Sequence, residues 1–188
     1  AFAMPEVGIG FFPDVGATWF LPRLAGKTGT YLGLTGARAK AGDAVALGLA
    51  EAHVSRAKIP DFVAALEAGE DVEAAVARFR SAAAPGPIVQ NSAAIDAAFS
   101  GDSVGDILAR LAADGSDFAK EAAKAMGQKA PLSLAVALRQ MQVGAGLSFE
   151  EAMRTEFRIV SRICRGPNFY EGVRATIIDK DQQPAWKP

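Results

Sequence analysis

At 188 residues the chain is long enough for one domain with a sizeable core, and 50% of its residues are hydrophobic. Its 20 Lys and Arg stand against 21 Asp and Glu, a balance that argues against nucleic acid or an anionic membrane surface as partner. No apolar run approaches the roughly 20 residues that cross a bilayer, so no membrane-spanning helix is expected. One cysteine, Cys164, and one histidine, His53, leave no internal disulfide framework, fit a reducing cytoplasm and argue against a protein-built metal site. The opening Ala1-Phe2-Ala3-Met4-Pro5 has no basic region and is too short to read as a signal peptide. A serine–histidine–aspartate triad would have to recruit His53, and no nucleophile-elbow motif accompanies it. Hydrolysis by such a chain would have to run on carboxylates.

Along the chain, Ala1 to Gly16 mixes apolar residues with Pro5, Gly8, Gly10, Pro13 and Gly16, the chemistry of a strand end and a turn. Short helices are expected over Ala17–Leu24, Thr30–Leu34 and Ala41–Leu47, the last ended by Gly48, and a short strand over Glu51–Val54. Helices near Asp61–Glu67 and Val72–Ala82 lead to Ala84-Pro85-Gly86-Pro87, which no helix can cross. Beyond that break the chain reads as helical almost to its end. Val104, Ile107, Leu108 and Leu111 share one face, and Phe149, Met153, Phe157, Val160 and Cys164 form a second apolar stripe expected to pack inward. Ser148-Phe149-Glu150-Glu151 is a capping box, and Glu150 and Arg154 make an i,i+4 pair. The composition shift at the Pro-Gly-Pro break divides the chain into 1–83 and 84–188.

Two acids carry the chemistry. Glu6 follows Pro5 at the expected strand end, and Asp14 follows Pro13 at the start of the next helix, with flexible Gly8 and Gly10 between them. Pockets of α/β proteins form at such places, and a carboxylate in an apolar pocket has a raised pKa and can serve as base or nucleophile. The same residues also fit structural roles, since Asp14 is a good helix N-cap and Pro-Asp-Val-Gly an ordinary turn.

The run Phe2 to Gly16, followed in order by Phe20-Leu21-Pro22-Arg23-Leu24, Leu34-Thr35-Gly36 and Ala46-Leu47-Gly48-Leu49-Ala50, resembles the crotonase, or enoyl-CoA hydratase/isomerase, superfamily. In that family the glutamate after the proline works on the acyl end of a thioester, the position Glu6 occupies. An acid at position 14, where hydratases show Pro-Gly-Ala-Gly, points to dienoyl-CoA isomerases or 3-hydroxyisobutyryl-CoA hydrolases. The tail from Asn168 to Asp181, Pro184 to Pro188, Ala130-Pro131-Leu132-Ser133-Leu134 and Leu138-Arg139-Gln140 are similar to the hydrolases. The match is weakest over residues 59–114, and Ala17-Thr18-Trp19 departs from the glycines and tyrosine usual in the family.

The resemblance implies a crotonase-like α/β fold, of which this chain is the later, mostly helical portion. It implies hydrolysis of a 3-hydroxyacyl-CoA, with 3-hydroxyisobutyryl-CoA of valine breakdown as leading substrate. Glu6 would act as general base or nucleophile and Asp14 would hold the substrate hydroxyl or the water. No metal or redox cofactor is implied. The partners implied are the acyl-CoA and an N-terminal half of the same protein, with a homo-oligomer left open. An enoyl-CoA hydratase or dienoyl-CoA isomerase is the rival enzyme, and a non-catalytic helical module the rival of another class. Because both oxyanion donors of the family lie upstream of the proline–glutamate motif, the 188 residues alone are expected to be inactive, as a proteolytic or truncated product or the partner of a separate N-terminal fragment, with residues 1–16 poorly covered if that fragment is absent. Glu171, Arg174, Asp179 and Lys180 read as a charged cap, and Trp186 as an anchor for the chain end.

Overall fold

A computed structural model describes residues 1–187; Pro188, which closes the terminal motif, lies outside the described residues. The helices in chain order are α1 (Ala17–Phe20), α2 (Thr28–Thr35), α3 (Ala41–Ala46), α4 (Ile59–Glu67), α5 (Val72–Phe79) and α6 (Pro87–Gln90). There follow α7 (Ser92–Phe99), α8 (Val104–Asp114), α9 (Asp117–Gly127), α10 (Pro131–Gly144), α11 (Phe149–Ile163) and α12 (Pro167–Val173). A tight 3₁₀ turn occupies Glu6–Ile9, and α12 runs into a wide π turn at Arg174–Ile178. The two expected strands are reduced to single bridges, Phe2 opposite Ala39 and Val54 opposite Arg80. A strand is held by a run of successive pairings with a neighbour, and within the described residues each segment makes a single bridge.

The chain divides into two compact units that interleave in sequence, unlike the consecutive 1–83 and 84–188 expected. The first unites Ala1–Phe2 with Ala39–Gln90. In it the Pro-Gly-Pro break lies against α3: a methyl group at Gly42 would collide with the Ala84 carbonyl. Buried Asp43 accepts the Val89 N–H at 3.0 Å. Pro87 then starts α6, where its missing N–H removes nothing the helix needs. Helices α4 and α5 pair through Phe62 and Phe79, with ring centroids 5.8 Å apart.

The second unit takes Ala3–Arg38 and everything from Asn91 onward. Its centre is α2, buried on every residue but the half-buried Tyr31. Glycine is what allows this, because a methyl group at Gly29 would strike the Leu21 carbonyl. The expected face of α8 is inside, with Ile107 and Leu111 buried and Val104 and Leu108 half-buried. The expected face of α11 is not. Phe149, Met153 and Phe157 are 55%, 38% and 72% exposed, and the inward residues are Ala152 and Glu156. Two hydrogen bonds made by Glu156, described below, fix that rotation against the apolar stripe. The capping box holds as read, with Glu151 accepting the Ser148 N–H at 2.8 Å and Ser148 accepting the Glu151 N–H at 3.2 Å.

Residues 1–16 are better covered than the sequence suggests: Met4, Val7 and Phe12 are buried. The cover comes from the chain's own tail. Ala130 donates its N–H to the Val7 carbonyl, and α12 lies flat on the 3₁₀ turn because glycines sit on both sides of the contact. A methyl group at Gly10 would collide with the Asn168 backbone, and one at Gly172 with that of Ile9. Arg174 then gathers Glu171, Asp179 and Asp181, and its guanidinium with the Ala185 N–H pulls the Glu171 carboxyl down to about 2. Lys187 exchanges two backbone hydrogen bonds with the Asn168 side chain, and Trp186 donates to the Gln128 carbonyl at 3.2 Å. The charged cap and the aromatic anchor therefore fasten the tail that covers the turn.

Gly172→Ala should destabilise by about 1–3 kcal/mol, the usual range for overpacking, because backbone and not a flexible side chain stands in the way. Gly127→Ala, where nothing lies within 4 Å of the added carbon, should be close to neutral. Denaturant unfolding of the two variants side by side checks this.

Candidate active site

Pro5 delivers the chain into the 3₁₀ turn that Glu6 opens, and Gly10, at φ 71°, closes it by donating its N–H to the Glu6 carbonyl. The chain then passes the stacked rings of Phe11 and Phe12 to Pro13 and Asp14. Two left-handed residues follow, Val15 at φ 50° and Gly16 at φ 92°. Glycine adopts that conformation freely, whereas a β-branched residue pays about 1–3 kcal/mol for it.

Asp14 does not cap α1. The cap position is Gly16, and the carboxylate that meets the helix start comes from far along the chain. Glu156 accepts the Gly16 N–H at 3.0 Å through Oε2 and the Thr18 N–H at 2.9 Å through Oε1. Gln140, 1% exposed, donates from Nε2 to the Pro13 carbonyl at 3.0 Å and to Thr18 Oγ1 at 2.7 Å. Freed from capping, Asp14 lines a cavity of about 280 Å³ whose other walls include Phe11, Phe12, Val15, Met153 and Phe157. Trp19, in the segment that departs from the resemblance, meets Phe149 edge to face at 6.0 Å beside it.

Glu6 is not among the residues lining that cavity. Its side chain is half-buried, and Oε2 is buried without a hydrogen-bond partner among the described residues. Burial pushes its pKa up, and the Asp14 carboxylate pushes the same way against the hold of its own backbone N–H. The Asp14 pKa is raised too, first by burial and then by the Glu156 carboxylate, again opposed by its own backbone N–H. The structure thus brings the two predicted acids into electrostatic reach of each other, and an interacting pair of this kind takes up protons jointly. Two carboxylates whose charged forms are disfavoured, one of them with an unclaimed oxygen, can take a proton or attack a carbonyl near neutral pH.

His53 lies in the other compact unit, with Nδ1 buried and unpartnered. A second cavity of about 280 Å³, lined by Leu132, Val136, Ile159 and Phe169 with Arg162 and Asn168 as its polar members, is mostly apolar and holds no carboxylate. The acids, not the volume, locate the site. Glu156, Gln140 and Lys129 were not singled out as site residues by sequence reasoning. Lys129 reaches over Gly8 in the Glu6 turn, and burial pushes its pKa down. Gln140 sat in a motif that resembled the hydrolases. Glu156 gave no local signal, since its partners are 140 and 138 positions away. No group of three or more potential metal-ligating His, Cys, Asp or Glu occurs among the described residues, and no helix of theirs is long and apolar enough to cross a membrane.

The family model described as "Enoyl-CoA hydratase/isomerase" matches residues 1–188. The chain is 42% identical over 197 residues to the mitochondrial 3-hydroxyisobutyryl-CoA hydrolase of Xenopus laevis, covering 100% of this chain and 51% of that protein. It is 37% identical over 201 residues to the protein of the same name from Homo sapiens, with the same coverage. The chain therefore spans about half the length of the curated relatives it matches. A crystal structure of a carnitinyl-CoA dehydratase from Mycobacterium thermoresistibile superposes with a TM-score of 0.91 at 37% identity, over 98% of this chain and 53% of that one. An enoyl-CoA hydratase from Rhodobacter sphaeroides 2.4.1 gives 0.88 at 41% identity, over 99% and 54%. The fold is crotonase-like, as expected, with this chain its mostly helical part.

The raised pKa of Glu6 has a stability consequence. A carboxyl that binds its proton more tightly folded than unfolded opposes folding once ionised, so its penalty is absent below the unfolded pKa and grows as pH rises through that value. Glu6→Gln should leave the melting temperature nearly unchanged near pH 3 and raise it near pH 7.5, on either side of the ordinary carboxylate range of about 4. Thermal unfolding at the two pH values measures it; a lower melting temperature at neutral pH would reveal a stabilising partner for the carboxylate.

Proposed function

Because the chain belongs to the enoyl-CoA hydratase/isomerase family, we propose that it carries the acid pair of an acyl-CoA thioester hydrolase acting on a 3-hydroxyacyl-CoA, with 3-hydroxyisobutyryl-CoA as the leading substrate. The observation that carries this reading is Glu6, with one carboxylate oxygen buried and unclaimed, its pKa raised by burial and by Asp14. In the proposed mechanism Glu6 takes a proton from water as that water adds to the thioester carbonyl, or itself attacks the carbonyl to give a mixed anhydride that water opens. Either route ends in a free acid and free CoA thiol. Asp14, in the cavity wall, holds the 3-hydroxyl group or the water. The remaining half of the relatives' length is proposed to supply the oxyanion donors and to complete the CoA site. Thioester hydrolysis asks for a nucleophile and oxyanion donors, so the proposal includes no metal or redox cofactor.

A place in valine breakdown and a cytoplasmic location are further parts of the proposal. The relatives are named as mitochondrial proteins, and a lone cysteine suits any reducing compartment, so fractionation of the source cells is the test of location. Hydration is the second reading, favoured by the names of the two solved neighbours.

The full-length protein should release free thiol from a branched 3-hydroxyacyl-CoA faster than it hydrates crotonyl-CoA; hydration without thiol release would overturn the hydrolase reading. Glu6→Gln should lower turnover by roughly 10²–10⁴. Asp14→Asn should lower kcat as well, although asparagine caps helices as well as aspartate does. Removing the Asp14 charge eases ionisation of Glu6, so the acidic limb of the residual kcat/KM profile should move to lower pH.

A further inference from the structure

We propose that Glu156 on α11 is the positioning residue for Asp14, an assignment that rests on the reading of Asp14 given above. Glu156 is 4% exposed, and its partners are two N–H groups rather than a cation. Burying a carboxylate is costly unless every oxygen is engaged, and this one is engaged only by the loop that carries Asp14. The two bonds fall on either side of a tight bend: one on Gly16, itself left-handed, and one on Thr18 in the first turn of α1. Left to itself, Val15 at φ 50° would relax toward a commoner conformation and swing the preceding Asp14 with it. Gln140 pins the carbonyl of Pro13 from the other side. The peptide before Asp14 and the N–H two residues after it are thus each tied to a different helix.

Glu156 lines the same cavity as Asp14, and each of its oxygens is engaged by a backbone N–H of the bend, which fits holding rather than proton transfer. Its charge reaches Asp14 and reinforces the raised pKa there. Around Asp14 the charged groups are Glu156 from α11 and Glu6 from the 3₁₀ turn, while α10 presents the neutral Gln140. Helix α11 is therefore part of the site: its aromatic face is left outward so that its one buried acid can hold the loop.

The test uses the full-length protein and the variants Glu156→Gln, Glu156→Asp and Asp14→Asn, alone and combined. In Glu156→Gln an amide N–H faces a backbone N–H, so one bond and the charge are lost together. It should lower kcat by up to about 10²-fold, the scale of a misplacement near 1 Å, with KM nearly unchanged. Carboxyl NMR should show the Asp14 pKa falling in Glu156→Gln and staying raised in Glu156→Asp, which should also recover part of the rate. On an Asp14→Asn background either change at 156 should cost little more. Losses that multiply fully on that background, or an unmoved Asp14 titration in a folded Glu156→Gln, would overturn the proposal and leave Glu156 as a packing contact. Should Glu156→Gln fail to fold, Glu156→Asp carries the same cycle, since it keeps the charge and both oxygens. The NMR titration needs no substrate, so an enzyme that releases no thiol defeats the functional reading while Glu156 is still decided.

Discussion

One buried carboxylate sets the arrangement of the second unit. Glu156 reaches from α11 to the N–H groups of Gly16 and Thr18, and those N–H groups have no other acceptor inside a helix, being among the first of α1. Charge-assisted hydrogen bonds of this kind are about twice as strong as neutral ones. With Glu156 turned inward, Phe149, Met153 and Phe157 lie on the exposed side of α11, and Met153 and Phe157 line the cavity beside Asp14. The small Ala152 then lets α11 settle onto α1. A helix whose hydrophobic periodicity pointed one way is held facing another by two bonds.

The other half of the site depends on close backbone approach. Gly10 and Gly172 let α12 lie against the Glu6–Ile9 turn at a distance no side chain would permit. That contact is fastened by the Arg174 cluster and by Asn168 with Lys187, and Glu6 in the same turn is half-buried. Desolvation is the leading reason that its pKa is raised. The charged terminal motif holds in place the helix that packs on the Glu6–Ile9 turn.

Much of this was legible in the sequence and some was not, for physical reasons. Local rules gave the Pro-Gly-Pro break, the Ser148–Glu151 box and the α8 face, because each depends on neighbours a few residues apart. Resemblance supplied the pair Glu6 and Asp14, which spacing alone left open between chemistry and capping. The α11 stripe misled because periodicity assumes that apolar area decides which face is buried, and here a long-range acid decides it. The strands misled because strand propensity needs partners, and the described residues offer one bridge to each. Coverage of residues 1–16 was underestimated because the tail that supplies it folds back from more than a hundred residues away.

The two acids are not equivalent, although both have raised pKa values. Glu6 keeps a buried oxygen without a hydrogen-bond partner among the described residues, which fits the base or nucleophile proposed for it. Asp14 sits in the cavity wall on a strained bend gripped from two helices, which suits it to hold a group in place. The Asp14 carboxylate also makes Glu6 harder to ionise, so a proton taken by Asp14 lowers the cost of charge on Glu6. In the proposed mechanism the loop from Pro5 to Gly16 therefore works as one unit, with a base at one end and a holding group at the other, and α10 and α11 tie its Asp14 end.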